Sequence, residues 1–159
     1  MEQMRAAVVT VSDTRKPDDD TSGDFLIELL TSIGASIAER VIVTDDIQGL
    51  RQTLFALTER ADINLIITTG GTGLSPRDNT PEATSSIIEM EVPGIAEAIR
   101  AETLKFTPMA MLSRGVCGVR NGTLLINLPG SPKGVEQCFK VVQPVLQHAV
   151  DLLEGNSRH

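Results

Sequence analysis

The chain has 159 residues, a formal charge of −7 and 41% hydrophobic residues, with no Trp and no Tyr. That length suits a single domain, residues 1–159, able to bury roughly two-thirds of its unfolded surface. The acidic balance argues against nucleic acid or an anionic membrane as partner, and two cysteines without ligand spacing, Cys117 and Cys138, read as core thiols of a reducing compartment.

Arg5 to Ser12 is a near-continuous apolar, β-branched run and predicts a central parallel strand. It feeds Asp13 and then Lys16-Pro17-Asp18-Asp19-Asp20, an acidic loop that reads as solvated. Thr21 or Ser22 is positioned to cap a helix whose apolar face is Phe25, Leu26, Leu29, Leu30 and Ile33, with Gly34 at its end. Ser36 to Thr44 predicts the second strand. Asp46 can cap a helix over Ile47 to Arg60, which leaves Asp45 at a strand end. Position alone leaves Asp45 open either to handling a ligand or to capping and solvation.

Asn64 to Thr69 predicts the third strand, and the stretch after it is Gly70-Gly71-Thr72-Gly73-Leu74-Ser75-Pro76-Arg77-Asp78. Thr80-Pro81 then predicts a helix start, Thr80 capping and Pro81 at the first helical position, with the helix running to about Met90. Strand, glycine-rich loop, charged pair and helix N-terminus are the parts of a phosphate site at the carboxyl edge of an open α/β sheet. The loop is no P-loop, because Leu74-Ser75 stands where Lys-Ser or Lys-Thr is needed, nor a dinucleotide fingerprint, because Pro76 replaces the third glycine. A plain turn would need neither three glycines nor the Arg77-Asp78 pair.

Pro93-Gly94 reads as a break before a helix over Ile95 to Phe106, and Pro108 to Ser113 has no clear periodicity. Val116 to Arg120 and Thr123 to Leu128 predict two strands joined at Asn121-Gly122. A second small-residue loop, Pro129-Gly130-Ser131-Pro132-Lys133, leads into a last helix from about Gly134, with Val135, Cys138, Val142, Val145, Leu146, Ala149 and Leu153 on its apolar side. Pro144 predicts a kink or a division of that helix. No apolar run approaches the ~20 residues of a membrane span and no signal-peptide pattern precedes the first strand, so the expected location is cytoplasmic.

The pattern predicts an α/β fold: a doubly wound, mostly parallel sheet between helical layers, three layers in all, with one small antiparallel hairpin. Strand ends would gather Ser12, Asp13, Asp45, Thr69, Gly70, Gly71, Thr72, Gly73, Arg77, Asp78, Pro129, Gly130, Ser131 and Pro132 on one edge. Free carboxylates beside amide-rich loops suit a Mg²⁺–nucleotide site, since Mg²⁺ takes one or two carboxylates and completes its shell with phosphates and water. His148 and His159 lie on the last helix and in the polar tail, away from that edge.

The stretch TTGGTGLSPRDNTPEAT together with LINLPGSPKG resembles the paired motifs of the molybdenum cofactor biosynthesis family that includes MoaB, MogA and the G domain of gephyrin. The resemblance runs from the VVTVSDTR opening to the last helix, and TSGDFL makes the chain more similar to MoaB. It implies adenylylation of molybdopterin by Mg-ATP with release of pyrophosphate, or, as the alternative, binding and delivery of molybdopterin without chemistry. Asp78 and Asp45 correspond by resemblance to the functional aspartates, as catalytic and metal-holding groups, and the two loops to the ligand-contacting segments. A homotrimer, or a homohexamer made of two trimers, is implied in the same way, with an interface expected over Ile95 to Leu112.

Overall fold

The structure, a computed structural model, describes residues 1–156. Four parallel strands form its centre: β1 (Arg5–Val11), β2 (Ser36–Val43), β3 (Leu65–Thr69) and β6 (Thr123–Leu128). The sheet order is β2-β1-β3-β6-β5-β4, with β5 (Cys117–Arg120) antiparallel to β6 and a two-residue edge strand, β4 (Met90–Glu91), antiparallel to β5. The hairpin turn has positive φ at both Asn121 (+49°) and Gly122 (+73°), as a twist-matched two-residue turn demands.

Alternation along β1 feeds two cores. Ala6 and Val8 face one side with Leu65, Ile67, Leu124 and Ile126, under α1 (Thr21–Ser32), α4 (Pro93–Thr103) and α5 (Pro132–Leu153). Ala7, Val9 and Val11 face the other, under α2 (Ile47–Thr58) and α3 (Thr80–Ser85). Every residue of β3 and β6 is buried, the near-continuous apolar pattern of strands covered on both faces. The expected three-layer α/β architecture is the one observed.

Several local expectations change. The cap of α1 is Asp20, not Thr21 or Ser22: its Oδ1 accepts the Gly23 N–H at 3.0 Å. Asp20 is fully buried rather than solvated, because Thr10 and Arg40 also donate to its Oδ2, at 2.7 and 3.0 Å. The expected cap Asp46 does accept the Gly49 N–H, at 2.8 Å, but α2 stops at Thr58. α3 has only six residues, because the chain must turn out to form β4. Pro93 starts α4 instead of breaking the chain, since the first helical position needs no N–H.

α5 begins two residues earlier than expected, capped by Ser131, and continues through Pro144 as one helix. Pro144 and Lys140 are both exposed, so the carbonyl left without a proline N–H faces water. Val145 is exposed rather than part of the apolar side. Ile99 is buried and Ile95, half-buried, packs against the same core, which leaves Ile99 little surface for the expected interface. Met109, Met111 and Leu112 stay exposed on a 3-10 turn over Pro108–Leu112. Cys117 and Cys138 are buried free thiols, pushed by burial up to about 12 and about 11, so neither is a nucleophile near neutrality. Among the described residues no helix is long and apolar enough to cross a membrane. His148 is exposed on α5, and His159 lies outside the described residues.

Candidate functional site

The carboxyl ends of β1, β2, β3 and β6 do converge, and the glycine loop is the centrepiece. β3 runs directly into Gly70 (φ +102°) and Gly71 (φ +69°), a left-handed pair that folds the chain back over the strand ends. The Gly70 N–H donates to the Leu128 carbonyl at 3.0 Å, which locks this loop to the end of β6. The Thr80 hydroxyl donates to the Gly70 carbonyl at 3.0 Å and the Thr80 N–H to the Gly71 carbonyl at 3.1 Å. Thr80 therefore does not cap α3; Asn79 holds the cap position without a side-chain cap bond, and Thr80, fully buried, closes the loop.

Three carboxylates surround the turn. Asp13, just past β1, takes both Arg77 donors, Nε at 2.9 Å and Nη2 at 2.8 Å, and accepts the Asp45 N–H at 3.0 Å. The Arg77 hydrogen bonds, then the Asp45 N–H, hold the Asp13 carboxyl below its usual range. Asp78 accepts the Ser75 N–H at 3.1 Å and returns its own N–H to the Ser75 carbonyl at 2.9 Å, forming a compact turn. Asp45, 9% exposed, sits under Gly71 with its carbonyl held by the Asn79 amide at 2.9 Å.

The Asp45 Oδ1 is buried and has no hydrogen-bond partner. Its pKa is raised, by burial first and then by the negative charges of Asp13 and Asp78, which Arg77 and the Asn79 N–H only partly offset. A buried carboxylate oxygen left without a partner costs free energy, so Oδ1 has the character of a group held for a ligand. An unpartnered oxygen on Asp45, with Asp78 close enough to act on its charge, suits a divalent cation such as Mg²⁺. Among the described residues no three acidic, histidine or cysteine groups converge as a ready-made cage.

The sign of the Asp45 shift gives a stability test. A carboxyl whose folded pKa lies above its unfolded value of 3.8 supports folding fully below that value and loses its contribution as pH rises through the folded pKa. Asp45→Asn removes that loss. Its melting temperature is expected to match the wild type near about pH 4 and to exceed it near about pH 8. A wild type that stays the more stable at the higher pH would show that Asp45 is satisfied in solution.

The second loop lies against the first. The Thr69 hydroxyl donates to the Pro129 carbonyl at 2.7 Å, and a Cβ on Gly130 would stand 3.3 Å from the Gly70 Cα. Ser131 is committed to capping α5, accepting the Gly134 N–H at 3.0 Å, and Pro132 opens that helix. The Ser12 Oγ accepts the Arg15 N–H at 3.0 Å and so shapes the loop after β1. Thr72 is buried, and a Cβ on Gly73 would fall 2.9 Å from Asp78 Oδ2. Two clefts flank this core. One, about 510 Å³, opens beside Ser12, Asp13, Arg15, Lys16 and Arg40; the other, about 320 Å³, lies between the second loop and the Phe106, Met109 and Ser113 segment.

Sequence reasoning assigned no role to Arg114, whose guanidinium reaches back to this loop from the start of the β5 approach. It lies 41 positions from Gly73, and no local spacing could have signalled that contact.

A mostly parallel sheet carrying a left-handed glycine loop, a clustered set of carboxylates and two flanking clefts at one edge defines an α/β protein built to bind phosphorylated ligands. The family model described as "Probable molybdopterin binding domain" matches residues 7–148. The chain belongs to that molybdopterin-binding family. It is 36% identical to the molybdopterin adenylyltransferase of Helicobacter pylori, over 98% of this chain and 91% of that protein. It is 43% identical to the molybdenum cofactor synthesis protein cinnamon of Drosophila melanogaster over 96% of this chain, spanning only 26% of that longer protein. The solved structure of the molybdopterin biosynthesis enzyme MoaB from Thermus thermophilus is 44% identical, with a TM-score of 0.88 over 96% of this chain and 98% of that one.

Proposed function

We propose that this protein, as one domain over residues 1–159, transfers the adenylyl group of ATP to the terminal phosphate of molybdopterin and releases pyrophosphate. The observation that carries the reading is the unpartnered, buried Asp45 oxygen beside the left-handed glycine pair. An oxygen of the pterin's phosphate bonds to the α-phosphorus of ATP as the bond to the bridging oxygen breaks, and the electron pair departs with pyrophosphate. A phosphate nucleophile is already ionised near neutrality, so the step needs no histidine base. Positioning and charge neutralisation supply the acceleration.

Residues of the two loops, Thr69 to Gly73 and Pro129 to Pro132, line the phosphates, and the flanking clefts accommodate the two substrates, with Ser12 and Asp13 at the mouth of the larger one. Arg77, 64% exposed in its side chain and bonded to Asp13, is available to exchange that partner for a phosphate. Asp45 and Asp78 would hold Mg²⁺, which would neutralise charge on the triphosphate. Incubating the protein with molybdopterin and Mg-ATP and measuring pyrophosphate tests the reading. Tight binding of both ligands without pyrophosphate would instead establish a carrier of molybdopterin.

The same proposal includes self-association. Phe106, Met109 and Met111 are 65%, 62% and 66% exposed on one segment, more apolar surface than a monomer gains from showing. Light scattering in the low micromolar range is expected to give three or six times the 17.1 kDa subunit mass. A single-subunit mass would overturn this, and a dimer would contradict threefold symmetry.

A further inference from the structure

The loop that carries Asp78 is held at three points by one residue from outside it, twice through its side chain and once through its backbone. Arg114 Nε donates to the Gly73 carbonyl at 2.8 Å, and its Nη2 donates to the Asp78 carbonyl at 2.9 Å. Its backbone N–H donates to the Thr72 carbonyl, also at 2.9 Å. Its Nη1 pairs with Glu82, one turn into α3. One planar guanidinium thus ties both ends of the Gly73–Asp78 segment and the helix that follows it.

Arg114 is itself fixed. The Arg100 guanidinium on α4 donates to the carbonyls on either side of it, Gly115 at 2.8 Å and, more weakly, Ser113 at 3.4 Å. Backbone between α4 and β5 is therefore braced from the core side while Arg114 braces the loop from the other. The Gly73–Asp78 segment has little support of its own: Leu74, Ser75, Pro76 and Arg77 are all exposed. Its inner hydrogen bonds are the Asp78–Ser75 turn and a weak 3.4 Å contact of the Arg77 N–H with the Ser75 hydroxyl. Outside contacts therefore set the position of the Asp78 carboxylate relative to Asp45: Arg77 ties the segment's exposed side to Asp13, Asn79 ties the next residue to the Asp45 carbonyl, and Arg114 holds the backbone carbonyls at both ends.

We infer that Arg114 is a positioning residue for adenylyl transfer, setting the Gly73–Asp78 segment so that Asp78 faces the phosphates, an inference that rests on the function proposed above. The bland rival is a surface ion pair with Glu82, the two side chains being 34% and 46% exposed. An exposed pair of that kind contributes little, whereas two carbonyl bonds from one fork fix a geometry.

The test compares wild type, Arg114→Ala, Arg114→Lys and Glu82→Gln in pyrophosphate release with molybdopterin and Mg-ATP, at a temperature where all are folded. Arg114→Ala should lose about 10–100-fold in kcat, the cost typical of removing a group that orients a functional ligand. KM for both substrates should change less than kcat. Arg114→Lys should recover little of the loss, because an ammonium is a point charge and cannot bridge the two carbonyls as a fork does. Added guanidinium should restore part of the Arg114→Ala rate, and Glu82→Gln should stay close to wild type.

A folded Arg114→Ala protein with wild-type kcat overturns the inference. So does a loss that lysine fully repairs, or that Glu82→Gln reproduces. If wild type itself releases no pyrophosphate, the adenylyl-transfer reading fails, and amide hydrogen exchange over residues 70–78 decides the inference by itself. Faster exchange confined to that segment in Arg114→Ala supports it, and unchanged exchange ends it.

Discussion

Gly71→Ala is expected to lower kcat/KM for pyrophosphate release by at least about a hundredfold, the scale of loss when a reacting group is misplaced by about an ångström. Two costs combine. At φ +69° an alanine enters the left-handed region, roughly 1–2 kcal/mol above its preferred conformations. The added Cβ would also fall inside contact distance of the Thr80 Oγ1 and 2.7 Å from Asp45 Oδ1. Neither neighbour can give way cheaply, because the Thr80 hydroxyl is bonded to the Gly70 carbonyl and Asp45 is buried. The loop must shift, and Asp45 with it.

Gly122→Ala separates the two costs. Gly122 has φ +73° on the far hairpin with nothing within 4 Å of an added Cβ, so it carries the backbone strain without the crowding. It should lose stability, lowering the melting temperature by a few degrees at about 2–4 °C per kcal/mol for a chain of this size, and keep its rate. Equal rates for Gly71→Ala and wild type would mean that the glycine pair is only a turn.

Asp78→Asn is the second large effect. The substitution keeps volume and leaves an amide oxygen to accept the Ser75 N–H, so the turn and the melting temperature should be preserved. It removes one negative charge facing the site. The loss of a preorganised electrostatic contact costs about 3 kcal/mol, or about a hundredfold in kcat. A variant with wild-type rate and unchanged melting temperature would remove Asp78 from the site. Asp45→Asn offers the complementary signature, since it should lose rate while gaining stability at neutral pH. A residue whose removal costs activity and relieves strain is one held against its own preference for function.

The sequence by itself determined the class of fold and most of the edge at which the site lies. The reason is local. Buried parallel strands must be apolar on both faces, so β1, β3 and β6 announce themselves. Left-handed backbone favours glycine and, after it, asparagine, and two-residue hairpins favour Asn-Gly, so Gly70-Gly71 and Asn121-Gly122 mark their turns. Because ligands meet α/β sheets at the carboxyl ends of their strands, order along the chain already implied which residues could be neighbours.

Tertiary structure decided what each polar side chain does there. Thr21 and Ser22 read as caps from sequence and Asp20 as part of a solvated loop, but Asp20 finds Thr10 and Arg40 waiting in the fold, and it therefore is buried and takes the cap. Thr80 reads as a cap and instead closes the glycine loop, because its hydroxyl meets a carbonyl ten residues away that packing placed there. Asp45 could have been one more solvated strand-end carboxylate until Gly71, Asp13 and Asp78 closed around it and left its oxygen without a partner. Arg114 carries no local mark at all. Spacing along a chain encodes torsions and faces, whereas a hydrogen bond across 41 positions exists only once α4, β5 and the glycine loop have been packed together.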